Sequence, residues 1–458
     1  MSTLTDYARS HAVLVDDDEL AQVCRDLPDS ACREQPRNYG LHVVSLSLTK
    51  VGEGLADTKL VLAWLLDAIG APTWAMGLLV PVREALAMLP QLLISARIRR
   101  LVIRKTVYVV GCVVQGLAIV GTGVVALTLS GTVAGSLAVG LIAVFALGRS
   151  LCSISHKDVL AKTVDKGRRG SVSGFAGSIA AAATLLLALG YSTGWIPLSV
   201  PVVATAVILG GLLWLAAAMV FHSIREYPGA TAGGMDGFAA VISQLGLLQR
   251  DVRLQRLIVA RALLLSTALA PPFYIALSGD HESGGLGTLG LFMLASSAAS
   301  LASSYVWGRL ADQSSRRVLM VAAALATMAN GAAACAALLM PEQLKSAFIL
   351  PVLLFVLTIA HQGVRLGRSV HVVDMADLDS RATYTALSNS VIGLILLAGG
   401  VFGVIAQWLG IGVVLALFAL MAALAVLAAS RLDEVQARDY SADFSGDSTA
   451  HGAKGDGA

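Results

Sequence analysis

The sequence predicts an all-α membrane protein in which twelve transmembrane helices form two pseudo-symmetric six-helix bundles. Of its 458 residues, 56% are apolar and only 14% are charged, whereas about 25% of the residues of an ordinary soluble domain are charged. The apolar residues lie in continuous runs of about 20, which is the length of a helix that crosses the hydrocarbon layer. Short sequence elements also recur at equivalent places in the two halves. These observations exclude a soluble enzyme, a disordered chain and a fibrous protein.

A polar interruption at 222–256 divides the apolar body into two halves of six spans. Continuous apolar runs favour helices over transmembrane strands, whose residues alternate. We expect spans at 41–64, 74–96, 106–129, 133–154, 171–191, 198–221, 257–278, 286–308, 317–340, 347–369, 386–408 and 410–430. The predicted units are an N-terminal tail (1–40), an N-terminal half (41–221), a central loop (222–256), a C-terminal half (257–430) and a C-terminal tail (431–458). Pro271 and Pro272 should bend the seventh span.

Basic residues collect in alternate loops. Five Lys or Arg residues lie at 97–105 after span 2, and five more lie at 157–169 after span 4. The loops on the other side include SGTVAG and YSTGWIPLS, which carry no charge. Because short loops rich in Lys and Arg stay in the cytoplasm, we expect both termini and the central loop to be cytoplasmic. The prediction is an integral multi-pass protein of a bacterial inner membrane, with the lipid bilayer as its surroundings.

The two halves carry matching sequence elements. The tetrapeptide LGRS ends span 4 at 147–150 and ends span 10 at 366–369. A basic pair opens span 3 at Arg104 and Lys105, and another opens span 9 at Arg316 and Arg317. Such repetition is typical of transporters that rock one structural repeat against another.

The loop between spans 8 and 9 resembles the signature loop of the major facilitator superfamily, which reads Gly-x-x-x-Asp-basic-x-Gly-basic-basic. It keeps Gly308, Asp312, Arg316 and Arg317 and departs from the pattern at two middle positions. The first-half copy keeps only its terminal basic pair and has Arg100 in place of the Asp. The resemblance implies a secondary transporter whose helices 1, 4, 7 and 10 line a central cavity.

The signature loop has two interpretations. Its carboxylate and Arg groups can form contacts that differ between conformational states, which would make the loop a switch. The alternative is that Asp312 and the Arg pair only anchor the topology in the headgroup region. Because the first-half copy lacks the Asp, the sequence does not decide whether both halves form the same switch contact.

Charged residues at membrane depth are the candidate site, because each costs about 2.5–3.5 kcal/mol on insertion scales and usually marks a pathway. In span 1, Lys50, Glu53 and Asp57 have the spacing of one helical face. Counted from the span ends, Glu53 and Arg83 lie at similar depth and could face each other. The remaining candidates for a substrate or proton pathway are Glu84, Arg149, Arg261, His361, Arg365 and Arg368.

Each candidate also has a structural interpretation. Arg149, Arg261 and Arg368 lie near the predicted cytoplasmic edge, where long basic side chains extend to the headgroups. His361 could be a core histidine with its hydrogen bonds satisfied. Except in span 2, however, the charged spans are those that the resemblance places around the cavity.

The predicted function is transport of a small solute by alternating access, coupled to protons through Glu53 or Asp57. The intramembrane set holds six basic and three acidic residues, which favours an organic anion. A proton-driven efflux pump for amphipathic, drug-like compounds is the first alternative, although span 5 lacks the Gly-Pro pair usual in such exporters. A non-transporting membrane sensor is the second.

No enzyme is predicted, and we expect no cofactor and no metal. The sequence contains no phosphate-binding loop for ATP, and its histidines lack metal-ligand spacing. The expected partners are a small-molecule solute and protons, with no nucleic acid, and the chain is expected to be monomeric.

Overall fold

The computed structural model describes residues 29–91, 94, 97–98, 100–229, 246, 248, 250–278, 288–375 and 381–435. The structure within these residues is helical apart from turns and short connections. The α-helices are α1 (Asp29–Leu55), α2 (Val61–Ala68), α3 (Thr73–Met88), α4 (Lys105–Thr128), α5 (Gly131–Thr163), α6 (Arg169–Ser192), α7 (Val200–His222), α8 (Val252–Leu263), α9 (Ser266–Leu269), α10 (Pro271–Ser278), α11 (Thr288–Gln313), α12 (Ser315–Leu339), α13 (Ile349–Asp374), α14 (Arg381–Ala398), α15 (Val401–Leu409) and α16 (Ile411–Ser430). Two 3₁₀ turns follow α5 and α12, at Lys166–Arg168 and Pro341–Lys345.

Ten helical segments among the described residues are long and apolar enough to cross a membrane. They correspond to predicted spans 3 to 12, which confirms an integral multi-pass membrane protein. The regions of the first two predicted spans fall outside this set because α1 carries several charges and α3 has only 16 residues. The count of twelve therefore stays a prediction.

The first predicted span is interrupted in its middle. Helix α1 ends at Leu55 and α2 begins at Val61. The Asp57 carboxylate accepts hydrogen bonds from the backbone amides of Lys59 and Leu60, both at 2.9 Å. An Asp side chain that bonds to nearby amides competes with continued helix, so the chain turns here and restarts.

Helix α1 also starts earlier than expected, at Asp29 rather than Leu41. Asn38, which was predicted to lie in the tail, exchanges two hydrogen bonds of 3.1 Å with the backbone of Arg225. This contact anchors the first turns of α1 to the chain that follows α7. The predicted tail at 1–40 is thus partly helical, and the same holds for the predicted central loop, because α8 begins at Val252.

The seventh predicted span consists of three short helices, α8, α9 and α10. The regular α-helix is interrupted at Ala270, directly before Pro271 and Pro272, while Ala270 keeps helical backbone angles; the bend at the two prolines stays a prediction. A second interruption at Leu264 and Leu265 separates α8 from α9. The chain therefore breaks inside both the first and the seventh predicted spans.

The helices pack in the same order in both parts of the chain. Helix α4 packs on α5 and α7, and α1 packs on α6 and α7. In the second part α12 packs on α13 and α16, and α8 packs on α14 and α16. Between the parts, α6 lies against α11, α3 against α14 and α15, and α2 against α10.

We define the basic end of the molecule as the end at which residues 100–105, 157–169, 250–256 and 309–317 lie. The opposite end holds residues 69–73, 129–131, 193–199 and 340–347. A backbone hydrogen bond of 2.9 Å from Gly131 to Ile69 joins two of the connections at the opposite end.

Candidate functional site

A cavity of about 330 Å³ lies where the two parts of the molecule meet. We call it the central cavity. Most of the predicted pathway residues line it, and the ionisable side chains in its wall are Glu53, Asp57, Lys59, Arg83, Glu84, Arg149, His361, Arg365 and Arg368. Lys50 and Arg261 do not line it. They contribute instead to adjoining cavities of about 260 and 570 Å³.

Glu53 is the centre of an ion-pair cluster that joins three helices. Its carboxylate accepts a hydrogen bond from Arg83 of α3, and its Oε1 lies 3.0 Å from a guanidinium nitrogen of Arg149 on α5. Arg83 also pairs with Glu84 at 2.8 Å. The predicted approach of Glu53 and Arg83 is confirmed. Arg149 extends toward Glu53 and lines the cavity, so headgroup anchoring does not describe it.

The predicted placement on one helical face holds for Lys50 and Glu53, which are three residues apart in α1, and is wrong for Asp57. Lys50 donates to the carbonyl oxygen of Ser173 on α6, 3.2 Å away. Asp57 lies beyond the end of α1, so the helical spacing no longer applies to it. The three groups therefore have three different partners.

Sequence analysis did not single out Lys59, which connects the two parts of the molecule. Its Nζ lies 3.0 Å from Nε2 of His361 on α13, and Nδ1 of His361 lies 3.1 Å from the hydroxyl of Thr267 on α9. Lys59 lies in the interruption between α1 and α2, and Thr267 follows the interruption after α8. The sequence feature that could have identified Lys59 is a lysine inside an apolar run, two residues after an Asp that can accept hydrogen bonds from nearby amides and so form a turn.

Arg261 is buried, with 5% of its surface exposed. It donates to the hydroxyl of Ser388 and to Oδ1 of Asn389, the latter at 2.9 Å. Its position contradicts the alternative in which it extends to the headgroups. The same 570 Å³ cavity is lined by Arg365 and Arg368, and no carboxylate in the described part of the chain forms an ion pair with either arginine.

The central cavity is closed toward the opposite end of the molecule. There α3 and α15 meet at two glycines, so that a Cβ added to Gly403 would lie 3.1 Å from Cα of Gly77. Next to this contact, the amide of Thr73 donates to Oε1 of Gln407 at 2.9 Å. The adjoining cavities extend the other way, because their walls include Lys157 and Val373 near the basic end.

The signature loop lies at the basic end. Gly308 and Asp312 belong to the last turns of α11, and Asp312 is exposed. Arg316 and Arg317 open α12, where the Ser314 hydroxyl caps the helix by accepting from the Arg317 amide at 3.1 Å. The switch role of this loop stays a prediction.

A carboxylate that follows the last helix of each half contacts the basic pair of that half. Nε of Arg316 lies 3.2 Å from Glu434, after α16. In the first half the amides of Arg104 and Lys105 donate to Glu226, after α7, at 2.7 to 2.9 Å. Sequence analysis missed both glutamates, and their signal was an acidic residue shortly after spans 6 and 12.

The comparisons with known proteins identify the fold. No protein-family profile matches the sequence, and no curated protein matches it. The structure is similar to that of a mutant of the nucleoside transporter NupG, with a TM-score of 0.65 and 13% identity over 87% of this chain and 100% of that one. It is also similar to a D-xylose-proton symporter (TM-score 0.62, 12% identity, 87% and 98% covered). A third similar structure is a POT family transporter in complex with 5-aminolevulinic acid (TM-score 0.63, 11% identity, 86% and 95% covered).

These similarities establish the class of fold. The chain has the fold of the major facilitator transporters, as the signature loop predicted. At identities of 11 to 13% they establish no substrate.

Proposed function

We propose that this protein is a secondary transporter that moves a small organic anion by alternating access, coupled to protons. The central cavity carries the proposal, because it places nine ionisable side chains between the two parts of a major facilitator fold. Ionisable groups inside a membrane protein are costly and usually mark a substrate or ion pathway.

The proposed architecture has two halves of six helices, at 41–221 and 257–430. The regions of α1 to α2 and of α3 supply the first two spans. The repeated order of helix packing supports this division, since the contacts of α4 and α1 within the first part have counterparts in those of α12 and α8 within the second. Helices interrupted at the substrate level are a common feature of transporters, and the breaks in the first and seventh spans match it.

We propose that the basic end faces the cytoplasm of a bacterium, as the distribution of Lys and Arg predicts. In that orientation the structure is inward-facing. Its cavities extend to the cytoplasmic end, while α3 and α15 are in contact at the other end.

Local charge supports an anionic solute. Glu53 and Glu84 together balance the charges of Arg83 and Arg149, with which they form ion pairs. The side chains of Lys59, Arg365 and Arg368 form no ion pair with any described carboxylate. The part of the cavity wall that they form therefore carries a surplus of positive charge. A cation would be repelled there, which weighs against efflux of amphipathic cations.

Glu53 is the proposed coupling residue. It contacts arginines on two neighbouring helices, so its protonation would free Arg149 and change the contacts among α1, α3 and α5. Asp57 fits this role less well because its carboxylate caps the turn after α1. We propose no cofactor, no enzymatic activity and a monomeric state, as the sequence predicts.

The test uses proteoliposomes with an imposed pH gradient and labelled organic anions, propionate and 3-phenylpropionate among them. Uptake by the natural protein should follow the gradient. The variant Glu53→Gln should lose gradient dependence, whereas Glu342→Gln, which changes an exposed glutamate at the opposite end of the molecule, should keep it. Equal gradient-driven rates for Glu53→Gln and the natural protein would end the coupling role of Glu53.

A further inference from the structure

The hydrogen bonds around His361 fix its protonation pattern. The Thr267 hydroxyl donates to the carbonyl oxygen of Leu264 at 2.9 Å. The hydroxyl therefore accepts from Nδ1–H of His361 at 3.1 Å. Nε2 is then unprotonated and accepts from the ammonium of Lys59 at 3.0 Å. A neutral imidazole thus holds the charged end of Lys59.

The nearby carboxylates have other partners. Asp57 accepts from two backbone amides of its own turn, and Glu84 pairs with Arg83. No carboxylate in the described ranges forms an ion pair with Lys59. Because a carboxylate adds the Coulomb attraction of a full negative charge to the hydrogen bond, an incoming carboxylate would be a better acceptor for the Lys59 ammonium than the neutral His361 ring is.

Arg365 lies on the same face of α13 as His361, one helical turn closer to the basic end. Both side chains line the central cavity. Arg368 lines it one further turn along the same face. The ammonium of Lys59 and two guanidinium groups therefore border one part of the cavity wall.

The wall on the other side of His361 is mostly apolar, with Thr358 and Ser296 as its polar members. Leu354 and Leu357 continue the same face of α13 toward the opposite end, and Ile392 and Leu396 of α14 complete the apolar wall. Leu357 and Arg365 are eight residues apart, or about 12 Å along the helix axis. The cavity thus has a cationic end and an apolar end, separated by the length of a small molecule.

From this arrangement we infer that the central cavity binds an amphipathic monocarboxylate. Its carboxylate lies between Lys59 and Arg365, where it replaces Nε2 of His361 as the acceptor for Lys59. Its apolar group lies against Leu354, Leu357 and Ile392. The inference rests on the proposed function and adds the class of solute. A dicarboxylate is disfavoured because its second charge would be buried against leucine and isoleucine side chains.

The experiment measures binding to the purified full-length protein in detergent, by thermal shift and isothermal titration calorimetry. The probes are 3-phenylpropionate, its neutral amide, 3-phenylpropylamine, succinate and acetate. Only 3-phenylpropionate carries both one negative charge and a large apolar group. It should bind most tightly, acetate should bind weakly, and the amide and the amine should not bind.

Two variants test the carboxylate subsite. Lys59→Met should weaken binding of 3-phenylpropionate by about 10- to 100-fold, as expected for loss of a hydrogen bond to a charged group. His361→Ala should keep or tighten binding, because it removes the group that competes for Lys59. The matched control is Lys166→Met, which changes an exposed lysine at the basic end.

Several results would overturn the inference. Equal binding of 3-phenylpropionate and its amide would show that the cavity has no carboxylate subsite. Tighter binding of succinate than of 3-phenylpropionate would show that it has no apolar subsite. Unchanged affinity in Lys59→Met would also contradict it. If that variant does not fold, the probe series on the natural protein decides by itself. Binding without uptake into proteoliposomes would refute the proposed transport function alone, whereas transport of another solute without binding of these acids would refute only the inferred solute class.

Discussion

The contact between α3 and α15 should control which end of the central cavity is open. The perturbation is Gly403→Ala. An added Cβ would lie 2.9 Å from the carbonyl oxygen of Trp74 and 3.1 Å from Cα of Gly77. Both atoms belong to the backbone, and carbon atoms pack at about 3.5–4.0 Å, so the two helices would have to separate by roughly 0.5–1 Å.

Gly403→Ala should destabilise the conformation in which α3 and α15 are in contact. Overpacking of this kind costs about 1–3 kcal/mol. The adjacent hydrogen bond from Thr73 to Gln407, whose net worth is about 0.5–1.5 kcal/mol, would be strained as well. The higher helix propensity of Ala acts equally wherever α15 stays helical and cancels between conformations. A total of about 1.5–4.5 kcal/mol would shift the population away from this conformation by roughly 10- to 1,000-fold.

The assay is thiol labelling of a reporter in the wall of the central cavity. Ala268→Cys serves as reporter in a chain whose five natural cysteines are replaced by serine. A membrane-impermeant reagent is added to vesicles of known orientation. With Gly403 in place, labelling should be fast from the basic end. With Gly403→Ala, it should slow from that end and rise from the other.

The control is Gly123→Ala, whose Cβ would lie 2.9 Å from the carbonyl oxygen of Ala204, a contact between α4 and α7. It crowds two helices of the same part of the molecule and should leave the labelling pattern unchanged. If Gly403→Ala also leaves the pattern unchanged, or if both variants change it alike, the glycine contact does not close this end.

Two further predictions concern stability. Asp251 caps α8 and accepts from the Tyr384 hydroxyl at 2.5 Å; burial by itself raises the pKa of this carboxyl, but the hydrogen bonds from Tyr384 and two backbone amides lower the pKa overall. Asp251→Ala should lower the free energy of unfolding by about 0.5–2 kcal/mol. Because a lowered pKa stabilises the folded state above the unfolded pKa, the difference in melting temperature between the variant and the natural protein should be full at pH 7 and shrink below about pH 5. A difference that stays constant with pH would contradict this. Tyr274→Phe removes a buried hydrogen bond of 3.2 Å to Asn330 and should cost about 1–3 kcal/mol, since the amide is left unsatisfied; an unchanged urea or thermal midpoint would show that Asn330 finds another partner.

The approach of Glu53 and Arg83 could be predicted because depth in a membrane helix follows from residue number, at about 1.5 Å per residue. The two residues lie at similar distances from the same face of the membrane, so their meeting required only that the helices be neighbours. The same counting failed for Asp57. Counting by residue number assumes an unbroken helix. The helix is broken here because the Asp57 carboxylate accepts hydrogen bonds from the backbone amides of Lys59 and Leu60.

The signature loop shows another limit of sequence reasoning. The spacing of Gly308, Asp312, Arg316 and Arg317 predicts the fold when it is combined with the predicted spans and their division into two halves. Their contacts do not follow from that spacing, because Glu434 reaches Arg316 from the end of a helix more than 100 residues later. Glu226 similarly meets Arg104 from beyond α7.

The sequence by itself determined the class of protein, the approximate spans and the basic end. Each of these depends on the composition of the chain and on the order of its residues. Because the hydrocarbon layer has a fixed thickness, the length of an apolar run shows where the chain crosses it. Apart from the approach of Glu53 to Arg83, only the tertiary structure decided which charges pair, where the helices break and which end is closed. Those features depend on side chains brought together from distant helices, as when His361 holds Lys59 across the boundary between the two parts of the molecule.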